Sequence, residues 1–325
     1  MIPLRFGRQV LGIGLGIVLL AGCGGQSGVP GTVPQGSASG AHVTHWSWML
    51  QEAKSEDLLY VSVSADSVNV YSYPKGKPEG TLTGFLDPGG LCADQKGDVF
   101  ITNSGTFQVF EYAHGGTSPI RTLNDPGETP YGCSVDPTTG NLAVTNYCSV
   151  SGSGCSGAGS VSIYRNAKGN PKTYTDQGHY LFYCGYDDVG NVFIDGYSRT
   201  RKTQSEFAEL LNGGNAFKHI HLSERIRGYG GIQWDGKDLA LGNGLNVIYG
   251  VHILGSRGVV ESSTQLLGTK YVDQFWIQGS KVIGPNGRVY GHSSVKFWNY
   301  PTGGQPTKSI DGLAGATGAT VSLVK

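Results

Sequence analysis

A single short unit recurs six times along the chain, and this repeat constrains the fold more than any other feature. Each copy has a turn, which is Gly-Asp or Gly-Asn in the clearest copies, followed by a strand rich in apolar residues. The anchor residues that open these strands are Leu58, Val99, Leu142, Val192, Leu239 and Val282. They lie 41, 43, 50, 47 and 43 residues apart. A period in the forties with short strands predicts an all-β, six-bladed β-propeller of four-stranded blades.

Further strands surround each anchor, as period-two alternation indicates. A short apolar run precedes the turn, as at residues 132–136, and an aromatic strand follows, as at residues 107–112. Residues 218–222 suggest an outer, fourth strand. The first copy lacks its preceding run, and residues 319–323 supply one at the C-terminal end. We therefore predict that the C-terminal strand pairs with the N-terminal blade and closes the ring.

The composition agrees with strands and turns and excludes several classes of protein. The chain has 53 Gly among 325 residues, and glycine in a helix interior costs about 1 kcal/mol relative to alanine. Collagen is excluded because the glycines keep no three-residue period. Lys+Arg and Asp+Glu number 24 each, so no net charge favours nucleic acid as a partner.

The N-terminal residues have the pattern of an export signal. Arg5 and Arg8 precede an apolar stretch, and the following Leu20-Ala21-Gly22-Cys23 resembles the lipobox of bacterial lipoproteins, in which the cysteine is acylated. The alternative is an ordinary cleaved signal that contains a cysteine. The resemblance implies lipidation at Cys23 and a membrane-anchored protein of the bacterial cell envelope, facing the periplasm or the exterior.

Three segments are expected on this basis. Residues 1–22 form the signal peptide, and residues 23–57 form a flexible tether and a short N-terminal segment. Residues 58–325 form the propeller.

The repeat resembles a known type. The Gly-Asn turn, the Asp before it and the aromatic strand after it are similar to NHL-type repeats, within the six-bladed propellers that include gluconolactonase-like proteins. The Asp residues concerned are Asp94, Asp136, Asp187 and Asp235, and we expect them to cap turns. The resemblance implies the architecture and leaves the activity open, because one propeller scaffold serves many functions.

Four asparagines fall at one position of the repeat, four residues after the anchor: Asn103, Asn146, Asn243 and Asn286. Lactonases of this architecture gather such residues around a divalent cation, so the four are candidate ligands for Ca or Zn. The alternative is that each forms a turn with its own loop. His219 and His221, with His252 as a third ligand, are a second and weaker zinc candidate.

Aromatic residues concentrate in the loops between blades, on the face where the second strands end. The tyrosines predicted to bind a ligand are Tyr131, Tyr147, Tyr183, Tyr197 and Tyr229, and Tyr180, Phe182 and Tyr271 belong to the same loops. Arg199 and Arg227 accompany them. Tyr and Arg supply much of the binding energy at interfaces. The alternative is that the tyrosines cap the core and the arginines are solvated.

The cysteines point to an oxidising compartment. Cys23 is assigned to lipid, which leaves five, and an odd number leaves at least one thiol unpaired. The small residues between Cys148 and Cys155 favour a disulfide that closes a loop. Cys133 and Cys184 open equivalent strands of neighbouring blades and are expected to pair, which would leave Cys92 buried and free.

These observations favour a non-catalytic binding or scaffold module, because no acid, base or nucleophile converges and no catalytic residue is assigned. Its partner would be an envelope protein, a glycan or a small ligand, without a cofactor. The alternative is a metal-dependent, lactonase-like hydrolase that uses the asparagine ring.

Overall fold

The computed structural model describes residues 46–151, 154–201, 205–286 and 293–325, and these form six sheets, as predicted. The predicted signal peptide, most of the predicted tether and Cys23, the predicted lipidation site, lie outside the described residues. Blade 1 comprises Leu58–Val63, Ser67–Ser72 and Pro78–Thr83, with Ala316–Ser322 at the inner edge and Trp48–Met49 at the outer edge. Blade 2 comprises Pro88–Ala93, Val99–Asn103, Gln108–Tyr112 and Pro119–Asn124. Blade 3 comprises Glu128–Val135, Leu142–Ser151, Gly159–Tyr164 and Lys172–Asp176, with Gly154–Cys155 beside the second strand.

The other three blades follow the same order. Blade 4 comprises His179–Tyr186, Val192–Ser198, Ser205–Leu210 and Lys218–His219. Blade 5 comprises Ile232–Trp234, Leu239–Gly242, Val247–Leu254 and Arg257–Gln265, with His221–Leu222 at its outer edge. Blade 6 comprises Trp276–Gln278, Lys281–Asn286, Ser293–Asn299 and Gly303–Leu313. Short 3₁₀ helices occur at Gln51–Lys54, Ser104–Thr106 and Arg165–Ala167.

The turn before each second strand explains the repeated glycine. Gly97, Gly140 and Gly190 have φ angles of +88°, +72° and +84°, a left-handed conformation that glycine adopts without a steric penalty. The preceding aspartates cap the same turns, as expected. In blade 4, for example, Oδ1 of Asp187 accepts hydrogen bonds from the backbone N–H groups of Val189 and Asn191. The repeated glycine and the aspartate before it are therefore explained by one tight turn that precedes the second strand.

Ring closure occurs as predicted. Ala316–Ser322 pairs with Leu58–Val63 along its whole length, so the last strand is the inner strand of blade 1. The anchor in blade 1 is displaced by one residue, however. The other anchors, such as Val99, face the preceding blade of the ring. In blade 1 it is Leu59 that faces the preceding blade, blade 6, whereas Leu58 points toward blade 2. Because successive residues of a strand point to opposite faces, Leu59 is the true equivalent.

Two further expectations about strands need correction. Residues 218–222 do not form one outer strand, because Lys218–His219 pairs in blade 4 and His221–Leu222 pairs in parallel with the outer strand of blade 5. The described fold also begins before residue 58, since Trp48–Met49 pairs with Pro78–Thr83 at the outer edge of blade 1. Among the described residues, no helix is long and apolar enough to cross a bilayer.

The predicted disulfide between Cys133 and Cys184 is wrong: Cys133 is bonded to Cys92. Cys133 and Cys184 occupy the same register position in blades 3 and 4, so each points to the blade before it. The sulfur of Cys133 lies 3.8 Å from the carbonyl oxygen of Phe100 in blade 2, and that of Cys184 lies 3.7 Å from Ala143 in blade 3. Cys92 lies opposite the residue one position after the anchor of its blade, whereas Cys133 and Cys184 lie opposite the residue two positions after it. Its side chain therefore points the other way, toward Cys133.

The other cysteines have clear places. Cys148 is bonded to Cys155, the pairing that the loop sequence favours. Cys184 is a buried free thiol, and burial raises its pKa to about 12. Such a thiol is inert near neutral pH. Two disulfides are typical of an extracytoplasmic protein.

Candidate ligand-binding face

The five predicted tyrosines converge on one part of the molecule. Together with two neighbours they form a continuous set of ring contacts at the ends of blades 3 and 4 and in the loop before blade 5. This aromatic cluster consists of Tyr131, Tyr147, Tyr180, Phe182, Tyr183, Tyr197 and Tyr229. The ring centroids of Tyr147 and Tyr180 are 4.8 Å apart, and those of Phe182 and Tyr229 are 3.6 Å apart. Both pairs are stacked, so the cluster is rigidly packed.

The aromatic cluster is both core and surface. Phe182 and Tyr183 are buried, whereas Tyr147, Tyr180 and Tyr197 are partly exposed. The hydroxyl oxygens of Tyr147 and Tyr197 are 3.0 Å apart and share a hydrogen bond. Burial is the main cause that raises the pKa of Tyr147, and this hydrogen bond is the second, so the phenol is neutral at physiological pH. The cluster therefore offers apolar ring surface together with neutral hydroxyl groups.

Arg199 brings a positive charge to this surface. Its Nη2 donates a hydrogen bond to the carbonyl oxygen of Ser156, 2.8 Å away, and its Cζ lies 5.6 Å from the centre of the Tyr180 ring. Its Nε is buried and has no hydrogen-bond partner among the described residues. Arg227, the second predicted arginine, is exposed in the loop that leads to Tyr229.

A cavity of about 600 Å³ opens beside the aromatic cluster, between blades 4 and 5. Its apolar wall includes Phe207, Ile220 and Leu241, which belong to the same core as the aromatic rings. Its polar wall includes His179 and Glu206. The cavity therefore joins apolar surface to a group of titratable side chains.

The titratable group, here called the blade 4 cluster, consists of Asp176, His179, Glu206 and His219. Nδ1 of His179 is 2.7 Å from Oδ1 of Asp176, and its Nε2 is 3.2 Å from Oε1 of Glu206. Nδ1 of His219 is 3.6 Å from Oε2 of Glu206. Only His219 came from sequence reasoning, and its expected companions lie elsewhere. His221 belongs to blade 5, and His252 pairs with Asp238, 3.0 Å away.

Asp195 lies in the wall of the same cavity, at a position of the repeat that links neighbouring blades. In blade 3 the equivalent residue is Thr145, whose hydroxyl is 2.7 Å from the carbonyl oxygen of Phe182 in blade 4. In blade 4, Asp195 instead accepts hydrogen bonds from the N–H groups of Tyr183 and Gly230, at 3.0 and 2.6 Å. It is 3% exposed, and burial raises its pKa well above the ordinary value.

Each predicted asparagine ligand is bound within its own blade or the loop leading into it. Oδ1 of Asn103 accepts from the N–H of Leu86, Oδ1 of Asn243 accepts from Leu245, and Oδ1 of Asn286 accepts from Thr269. Only the bond of Asn243, to the N–H two residues on, is that of a turn-forming asparagine, whereas Asn103 and Asn286 each bind a residue 17 positions earlier in the chain.

Asn146 differs from the other three. Its Nδ2 donates to the hydroxyl oxygens of Ser160 and Ser162, but its buried Oδ1 has no partner among the described residues. Ser162 in turn donates to Oδ1 of Asp125, whose Oδ2 is also buried and unpaired within the described part of the chain. Two oxygen acceptors thus remain open in one buried polar network.

Sequence reasoning missed three members of the blade 4 cluster: Asp176, His179 and Glu206. The signal that was available is register. His179 and Glu206 lie on strands that flank the second strand of blade 4, opposite Ser198 and Gly196 respectively. Aligning the repeats to single-residue precision would have placed them side by side.

Comparison with known proteins supports the architecture. No protein-family model and no curated protein matches the chain. Among solved structures, it is similar to a chain of a nidogen/laminin complex, with a TM-score of 0.64 and 12% identity over 83% of this chain and 99% of that one. It is also similar to a protein of unknown function from Bacteroides caccae, with a TM-score of 0.60 and 12% identity over 82% and 99% of the two chains.

A third similar structure is the β-propeller domain of Cps50 (Swd1) from Myceliophteria thermophila, with a TM-score of 0.53 and 10% identity over 83% of this chain and 86% of that one. At these identities the likeness concerns the fold alone. The chain is thus an all-β, six-bladed propeller with an aromatic cluster and a titratable cavity on blades 3 to 5.

Proposed function

We propose that this protein is a lipid-anchored, extracytoplasmic binding module without catalytic activity, which holds an envelope protein on the aromatic cluster. The observation that carries the proposal is the convergence of seven aromatic rings, some of them partly exposed, beside the guanidinium group of Arg199. Tyr and Arg are enriched among the residues that dominate protein interfaces. The ring contacts also hold the side chains in place before binding, which reduces the entropic cost of association.

The comparisons provide an example of such use. One of the similar propellers was solved in a nidogen/laminin complex, so a chain with this fold is found together with a second protein. The two disulfides favour an extracytoplasmic location. The lipid anchor rests on the motif that ends at Cys23, and a Cys23→Ser variant is expected to leave the membrane fraction.

The test is capture of an envelope protein from the native host by the immobilised propeller, compared between variants. We expect one protein to bind the wild type and to bind the Tyr180→Ala and Arg199→Ala variants at least ten-fold more weakly. Tyr271→Ala is the matched control, because Tyr271 is 39% exposed and lies outside the aromatic cluster. Melting temperatures of all variants establish that the fold is intact.

Two outcomes would contradict the proposal. One is a partner whose affinity does not change in the Tyr180→Ala and Arg199→Ala variants. The other is the absence of any protein partner while cell-wall glycan fragments bind the same surface, which would make the protein a glycan receptor.

The second candidate function is a metal-dependent, lactonase-like hydrolase. It is favoured by one observation, the unpaired Oδ1 of Asn146 and Oδ2 of Asp125 within one network, because carbonyl and carboxylate oxygens are the ligands of hard cations such as Ca²⁺. Stoichiometric Ca or Zn in the purified protein, lost together with lactone turnover in Asn146→Ala, would support this function.

A further inference from the structure

The four side chains of the blade 4 cluster come from separate strands and loops that the fold brings together. Asp176 ends the outer strand of blade 3, His179 begins the inner strand of blade 4, and Glu206 and His219 lie on the third and fourth strands of blade 4. Asp176, His179 and His219 can each place one ligand atom within 4.8 Å of the others. Glu206 lies between the two imidazoles, in contact with both.

We infer that this cluster is a binding site for a divalent transition-metal ion, with zinc as the first choice. The ligands are Nε2 of His179, Nδ1 of His219 and the carboxylate of Glu206, and Asp176 is the residue that orients His179. Imidazole nitrogen and carboxylate oxygen are ordinary zinc ligands, and three of them with an open fourth position is a common arrangement. The site is independent of the binding function proposed for the aromatic cluster.

The distances agree with this assignment. Ligand atoms bound tetrahedrally at about 2.0–2.2 Å from zinc lie about 3.4 Å from one another. Carboxylate oxygens of Glu206 are 3.2 Å from Nε2 of His179 and 3.6 Å from Nδ1 of His219. Each imidazole nitrogen is therefore already at about the ligand-to-ligand spacing from one oxygen of Glu206, Oε1 for His179 and Oε2 for His219.

The role of Asp176 follows from the second nitrogen of His179. A metal-bound histidine generally donates its other N–H to a carboxylate, which fixes the tautomer and the direction of the ring. Oδ1 of Asp176 is 2.7 Å from Nδ1 of His179, so Nε2 is directed toward Glu206. Oδ1 of Asp176 also accepts the N–H of Gly178, which holds the carboxylate in place.

Charge and burial favour a cation at this point. Two carboxylates face two imidazoles here, and the side chains of Asp176, His179 and Glu206 are only 8%, 14% and 17% exposed, so a bound cation would compensate buried negative charge. His219 is 49% exposed and provides the path of entry. His179, Glu206 and His219 also line the 600 Å³ cavity, so a fourth coordination position would face a space able to hold a ligand.

The competing explanation is an ion-pair cluster in which protonated histidines neutralise the carboxylates. Isothermal titration of the untagged, metal-stripped full chain with ZnCl₂ separates the two. We expect one zinc per chain in the wild type and loss of binding in His179→Ala. We also expect a 10–100-fold weaker affinity in Asp176→Asn, the range found when an orienting partner is lost.

The matched controls are His252→Ala and Asn146→Ala. His252 is also paired with a carboxylate, that of Asp238, but belongs to no such cluster in the described residues, and Asn146 belongs to the network proposed for the lactonase. Both variants should bind zinc like the wild type.

A spectroscopic measurement keeps the inference testable even where a variant fails to fold. Co²⁺ added to the wild type should give the intense visible absorption of a tetrahedral nitrogen and oxygen site. The inference is overturned by wild-type protein that binds no zinc, by Co²⁺ spectra of the weak octahedral type, or by equal loss of zinc in His252→Ala and His179→Ala.

Discussion

Two interfaces between blades show how differently one repeat can be used. The closure interface, between blades 6 and 1, is filled mainly by aliphatic side chains such as Leu59, Val61, Ile283 and Val321. The interface between blades 4 and 5 is continuous with the aromatic cluster and carries the cavity. Both have the same strand order and the same turns. The closure interface is therefore packed mainly by aliphatic side chains, whereas the same strand order between blades 4 and 5 accommodates aromatic and titratable residues and a cavity.

The residue three positions after the anchor of each blade, counted from Leu59 in blade 1, also differs between blades in its polar group. In blade 1 it is Ser62, whose hydroxyl donates across the interface between blades 1 and 2 to the carbonyl oxygen of Gly89, 2.6 Å away. In blade 4 it is Asp195, which accepts from two N–H groups. A hydroxyl links blades at little cost, whereas a buried carboxylate requires compensation for lost hydration.

The largest expected effect is on the closure interface. Deleting residues 319–325 removes the buried Ala319 and Val321, which pack between blades 6 and 1, and opens a sheet edge on blade 1. We expect loss of the cooperative thermal transition, measured by circular dichroism. Deleting only the exposed residues 324–325 is the control and should leave the transition nearly intact. A melting temperature unchanged by the longer deletion would show that closure is not what holds the ring together.

The two disulfides form different kinds of link. One joins two neighbouring blades, and the other closes a loop of blade 3, here called the face loop. Cys92 and Cys133 join blades 2 and 3 over 41 residues, whereas Cys148 and Cys155 close a loop of 7. Chain-entropy arguments assign about 4 kcal/mol to the longer loop and about 2 kcal/mol to the shorter one. Cys92→Ala should therefore lower the free energy of unfolding in urea more than Cys148→Ala. The reverse order would mean that the face loop is the more tightly constrained region.

The smallest expected effect concerns Asp195 and its dependence on pH. Asp195→Asn puts an amide NH₂ against one of two backbone N–H groups, at a cost of about 1–3 kcal/mol in acid. Burial raises the pKa of Asp195 in the folded state, so the folded chain binds the proton more tightly than the unfolded chain. The contribution of this group to the free energy of unfolding is therefore largest below the pKa of about 4 that it has in the unfolded chain, and it falls as the pH rises.

The difference in free energy of unfolding between wild type and Asp195→Asn, measured by urea titration, should accordingly become smaller between pH 4 and pH 7. Thr145→Val is the control, because it removes the equivalent link between blades without a titratable group. Its effect should be the same at both pH values. A gap for Asp195→Asn that widens with pH would show that the carboxylate is stabilised by its N–H donors when ionised.

The sequence was enough to predict the blade count and the closure, because these depend on position along a repeat. The tyrosines expected in loops between blades lie mostly within strands of blades 3 and 4. The sequence was not enough where the outcome depends on which face of a strand a residue occupies. The disulfide of Cys133 was assigned to the wrong neighbour for this reason, since a shift of one residue reverses the direction of the side chain. His179 and Glu206 were missed because their contact joins the first and third strands of one blade, and the third strand, which holds Glu206, has a weak repeat signal.

Closure by the C-terminal strand also determines the order in which the molecule can fold. Ser62 and Thr317, whose hydroxyl oxygens are 2.9 Å apart in the finished ring, are separated by 255 residues. Contacts between residues so distant in the chain form slowly, because the entropy of closing the loop is lost before the contacts are gained. Until the strand docks, blades 1 and 6 expose the apolar surfaces that later face each other, and correct folding depends on closure being faster than encounters of these surfaces with other chains.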